Sequence, residues 1–168
     1  MSPERSQYQI SLEEIMLRDG QHIQTLIVEG SKSLVSGQIP DLPATHGERV
    51  ELMRFLGQAA ARSGRVDQLR QVFMVSEGWM SQPGEDKPNE MRPSQDPNRK
   101  EVLIISAIQM TERKKQMEIF EILRDSSEQV VSLERFLPGT EKKDASVEIP
   151  LLEAFVQGFQ TAFRTKFN

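Results

Sequence analysis

Four residues have both the chemistry and the setting to form a site. Glu77 and Trp79 lie in the run from Val72 to Met80, and Arg99 and Glu101 open the apolar run that follows. Alternation along an extended chain puts Glu77 on the same side as Phe73, Val75 and Trp79, with Val72, Met74, Ser76, Gly78 and Met80 on the other. A carboxylate in that company loses hydration, and its pKa rises unless a partner compensates. Such a group can serve as a general acid or base. The plainer reading is preferred: Gly78 marks a bulge that turns Glu77 to the rim, where it is a surface charge. If the strands flanking the intervening loop pair as a long hairpin, Arg99 and Glu101 fall near its base, close to Glu77 and Trp79. Arg99 is then placed to pair with Glu77, and that structural role ranks ahead of catalysis.

The remaining chemistry is thin. Glu77, Asp96 and Glu101 are the right ligand type for magnesium or manganese, but scattered acids of this kind occur in most proteins. His22 and His46 are the only histidines, and neither has HxH or HExxH spacing. His46 follows Thr45 at a helix start, where dipoles attract anions, and a solvated first-turn residue explains it. The chain contains no GxSxG, Walker or GxGxxG signature. No metal and no cofactor is expected.

The elements that would position these residues follow from pattern. The chain has 168 residues, 37% of them hydrophobic and 27% charged, with no cysteine and a net charge of −4. That is enough to bury a core without disulfides. It also leaves no thiolate nucleophile and no sulfur-ligated zinc. The acidic balance opposes nucleic-acid binding, and Arg113, Lys114 and Lys115 read as a short solvated cluster in a turn. Without a basic leader or a long apolar span, a soluble cytoplasmic protein that does not enter membranes is the expectation.

Residues 1–10 read as a flexible arm, followed by a short helix from Ser11, with Glu14 as capping-box partner, to Asp19-Gly20. Thr25 to Val28 and Leu34-Val35 read as a hairpin turning at Gly30 to Ser33. Thr45 and Glu48 form a second capping box. The helix they start carries Val50, Met53, Leu56 and Ala60 as its stripe, widened by Leu52, Phe55 and Ala59, and stops at Ser63-Gly64. The runs 117–123 and 130–137 are joined too briefly to be parallel neighbours, so the second half is an antiparallel meander. Pro150 opens a terminal helix with Leu151, Phe155, Phe159, Phe163 and Phe167 every fourth residue, joined by Leu152 and Val156. A four-residue period drifts by ~40° per step around a helix, so Phe163 or Phe167 could reach a partner chain, while a broad core face within one chain accounts for the same pattern.

The fold expected is α+β: an antiparallel sheet of five or six strands packed with two main helices plus a short N-terminal helix. Residues 11–168 form a single domain with a proline-rich loop at 81–100, of a length that is functional or disordered. Strands 72–80 and 101–110 are apolar on both sides, so both faces need cover, from helices or a second subunit. The function expected is a non-catalytic binding or assembly domain that self-associates as a homodimer, with no nucleic-acid or membrane partner. The alternative is an enzyme or small-ligand protein with a pocket around Glu77, Trp79, Arg99 and Glu101.

Overall fold

The computed structural model describes residues 7–81, 97–136 and 149–167. The elements in chain order are α1 (Gln7–Asp19), β1 (Thr25–Glu29), β2 (Leu34–Gln38), α2 (His46–Arg62), β3 (Gln71–Met80), β4 (Lys100–Gln109), β5 (Lys114–Arg124), β6 (Val130–Arg135) and α3 (Pro150–Phe167). The strands form one antiparallel sheet in the order β2-β1-β3-β4-β5-β6, giving the α+β arrangement with a short N-terminal helix. Most of the loop from 81 to 100, the segment 137–148 and Asp96 lie outside the described residues. The chain divides into two compact units.

In the unit made of residues 23–75, 105–117 and 149–167, β1 and β2 form the expected hairpin. It closes with the Gly30 amide donating to Ser33 O at 2.8 Å and has Val28 opposite Val35. The Asp67 carboxylate holds this turn, accepting from the Ser31 amide at 3.1 Å and from the Ser31 hydroxyl. The hydroxyl bond, with backbone donors, holds its pKa down to about 2.

Thr45 caps α2 in a full capping box, its hydroxyl accepting from the Glu48 amide at 3.3 Å. Gly64 takes the left-handed conformation (φ 71°) just past the helix end. The buried stripe of α2 differs from the expected one: its centre is Met53, Gly57 and Ala61, and Phe55 is 62% exposed. The reason lies in α3. A Cβ on Gly57 would overlap the carbonyl oxygen of Phe155 and sit 2.9 Å from the Phe159 amide nitrogen, and a Cβ on Gly158 would overlap the carbonyl oxygen of Arg54. The two helices therefore cross backbone against backbone through this glycine pair. That contact fixes the rotation of α2 and turns Phe55 outward. Leu152, Phe155, Phe159 and Ala162 of α3 join Leu26, Val28, Val72 and Met74 of the sheet in one core.

In the unit made of residues 7–22, 76–81, 97–104 and 118–136, α1 begins at Gln7, ahead of the expected Ser11, and packs on β6. Gly20 (φ 70°) ends it, its amide donating to Met16 O at 2.8 Å. Met16, Leu103, Phe120, Ile122 and Leu133 are buried. The meander is antiparallel, Ile122 facing Leu133. In its turn, Asp125 accepts from the amides of Ser127 and Gln129 at 2.8 and 3.0 Å.

Candidate functional site

Within this second unit the end of β3, the start of β4, the residues after α1 and the end of β5 bring Arg99 against Trp79 and set Glu101 close enough to Glu77 for their charges to interact. β3 supplies Glu77 and Trp79, β4 supplies Glu101, and Arg99 precedes β4 by one residue. The Arg99 guanidinium lies 4.4 Å from the centroid of the Trp79 ring, a cation–π contact worth on the order of 0.5–1 kcal/mol at an exposed site. Trp79 itself is 46% exposed. Next to it, Lys100 pairs with Glu121 at 3.0 Å and approaches the Phe136 ring.

Glu77 accepts a hydrogen bond from the backbone amide of His22, just past the end of α1. The Glu77 side chain is exposed, and partial desolvation of its carboxyl pushes the pKa up, opposed by the His22 amide; the neighbouring Glu101 charge adds to the rise and Arg124 opposes it. The cation set against these two carboxylates is thus Arg124, which the sequence reading did not single out. Its fork binds Glu101 at both ends, Nε to Oε2 and Nη2 to Oε1, each 2.6 Å. Nη2 also donates to Gly20 O and Nη1 to Glu128 O, both at 3.0 Å. Glu101 in turn raises the Arg124 pKa, so the arginine stays charged. A signal for Arg124 was present: Phe120, Ile122 and Arg124 alternate along β5, so the arginine continues the register of two buried side chains.

Chemically, the cluster holds a carboxyl that is easier to protonate than usual beside a carboxylate locked in an ion pair. A proton-exchanging or hydrogen-bonding role at Glu77 fits this geometry. Among the described residues no group of three His, Asp or Glu is placed to hold a metal ion. Phe163, on α3 in the other unit, stacks on Phe159 with centroids 5.9 Å apart and packs partly buried against its own core. The Phe167 side chain lies outside the described residues.

Residues 6–163 match the family described as bacteriophage lambda protein ea47. The chain belongs to that family. No curated protein and no solved structure matches it. The Ea47 match spans the whole Glu77–Arg124 cluster and the α2–α3 crossing. No described helix is long and apolar enough to cross a membrane.

Glu77 gives a pH test of the cluster. A carboxyl whose folded pKa is raised favours the protonated form in the native state. The stability this brings is full below the unfolded pKa and is lost as pH rises through the folded one. Glu77→Gln keeps an acceptor for the His22 amide and removes the charge. Its melting temperature is expected to equal or exceed that of the parent at neutral pH, with the two converging in acid, as a calorimetric pH series would show.

Proposed function

We propose that this chain is a non-catalytic binding or assembly module that self-associates as a homodimer, through the free edge of β2. The observation that carries this reading is the character of that edge. β2 is the outermost strand of the sheet, and from Leu34 to Gln38 it holds no charged residue and no proline. Leu34 is 66% exposed. Sheet proteins ordinarily guard such edges with charge, proline or bulges. β6, at the other end of the order, carries Glu134 and Arg135, with Arg135 bonded to Glu118 at 2.6 Å.

The hydrogen-bond phase of the hairpin says which groups are open. Gly30 bonds Ser33, and Ile39 bonds Gln24, so the intervening bonded pairs are Val28 with Val35 and Leu26 with Gly37. Leu34, Ser36 and Gln38 therefore aim their N–H and C=O groups outward. A second copy related by a two-fold axis at Ser36 would pair Ser36 with its own counterpart and Leu34 with the counterpart of Gln38, each pair exchanging two backbone bonds.

A strand this short buries less than the ~1,200 Å² of a standard stable interface, so the dimer is concentration-dependent. Sedimentation velocity from low to high micromolar protein should show the mean mass rising from 19.2 kDa towards twice that value. Ser36→Pro removes one outward donor from an edge position that tolerates proline, and it should stay monomeric with an unchanged fold. A parent protein that remains monomeric throughout would overturn the reading.

The second reading, a small-ligand or catalytic pocket around Glu77, Trp79, Arg99 and Glu101, draws on the raised Glu77 pKa and the Arg99–Trp79 contact. It requires that Glu77→Gln abolish ligand stabilisation or turnover without lowering the melting temperature.

A further inference from the structure

A concavity lies in the unit that contains α2 and α3 and shares no residue with the Glu77 cluster. It is a cleft of about 700 Å³ bounded by α2, α3 and the β4–β5 turn. Its apolar lining includes Val50, Ile108, Met110 and Ala154, and its rim carries Arg54, Arg113 and Lys115 against a single acid, Glu153. Two of the three cations are already engaged. Lys115 pairs with Glu153, and Arg54 pairs with Glu51 and donates to Gln157 at 3.4 Å.

Arg113 differs. It has no ion-pair partner among the described residues. It also holds a left-handed backbone, φ 50°, in the turn between Gln109 and Lys114. That conformation is strained for a side chain bearing a Cβ and is relaxed for glycine. The chain thus keeps an arginine where a glycine would be more stable, and its guanidinium is the rim group left to meet an incoming charge.

We propose that this cleft binds a free small organic anion, an aliphatic carboxylate whose chain lies on Ile108 and Met110 and whose head group meets Arg113. The size is that of ordinary ligand pockets, which combine an apolar lining with a few placed polar groups. The excess of cations over acids selects the sign of the head group, and a guanidinium fork binds a carboxylate through paired hydrogen bonds. The proposal is independent of self-association through β2.

The test is a titration of the full chain with sodium octanoate, followed by backbone amide shifts, with 1-octanol and sodium sulfate as parallel arms. Octanoate should produce saturable shifts at Gln109, Arg113, Gln157 and Gln160, octanol clearly weaker ones and sulfate none. Arg113→Gly should raise or preserve the melting temperature while weakening octanoate about tenfold or more. Octanol equal to octanoate would reduce the cleft to an apolar patch and overturn the proposal. So would sulfate equal to octanoate, or an Arg113→Gly variant that binds as the parent does.

Discussion

Gly57→Ala is expected to destabilise this protein by ~3 kcal/mol or more, at the top of the range for overpacking. At this chain length that is a fall in melting temperature of roughly 6–12 °C. The direction is the informative part. In an open helix position, alanine is better than glycine by ~0.8–1 kcal/mol, so propensity alone predicts the opposite sign. Here the added methyl would overlap the Phe155 carbonyl oxygen, which belongs to the backbone of α3 and can move only if the helices separate. Separation would loosen Met53, Phe155 and Phe159, all buried at the contact. Gly158→Ala should behave alike, because its methyl would meet the Arg54 carbonyl oxygen. The double variant should lose less than the sum, since one separation relieves both clashes. Gly47→Ala is the control: it lies in the first turn of the same α2, and nothing is within 4 Å of its Cβ position. It should be neutral or gain up to ~1 kcal/mol. Thermal unfolding of the four variants decides the matter.

Removing the Arg124 fork ranks second. Arg124→Met leaves the Glu101 carboxylate, whose side chain is only 19% exposed, without its partner. It also strands the Gly20 and Glu128 carbonyls that the guanidinium bonds. Breaking a fully buried pair costs ~3–5 kcal/mol. With the arginine side chain 27% exposed, water screens part of this, and roughly 2–3 kcal/mol is expected. Arg124→Lys should recover little, because one ammonium cannot span both carboxylate oxygens and two carbonyls. Pairing Arg124→Met with Glu101→Met should restore part of the loss, since the stranded charge is then gone. The titration of Glu77 would move as well: Arg124 lowers its pKa, so without the arginine the Glu77 carboxyl should titrate higher still, followed by its side-chain carbon shift.

The elements that local chemistry dictates were legible in the sequence. The Thr45–Glu48 capping box, the hairpin turning at Gly30, the meander and the terminal helix all rest on interactions within a few residues, and each stands in the structure. What was not legible depends on contacts far apart in sequence. Gly57 and Gly158 are not singled out by the sequence, because propensity registers only the cost of a helical glycine and not the close approach that requires it. For the same reason the α2 stripe is right only in part: Met53 is buried and Val50, Leu56 and Ala60 pack partly buried against the core, but the fully buried line runs on through Gly57 and Ala61, and Phe55 is exposed. Arg99 is the partner that hairpin pairing of the two flanking strands offers Glu77. Arg124, brought in by β5, is the arginine that opposes the rise in the Glu77 pKa, and Arg99 lies over the Trp79 ring. By sequence Arg113 is one of three solvated charges in a turn; its left-handed backbone is a property of the folded turn.

Amide hydrogen exchange in β2, measured at several protein concentrations, tests the proposed assembly most directly. Val35 and Gly37 face β1 and should be protected at every concentration. Leu34, Ser36 and Gln38 face outward and should exchange freely in dilute solution, slowing as concentration rises and a second copy covers the edge. Outward amides that exchange equally fast at all concentrations would contradict the account.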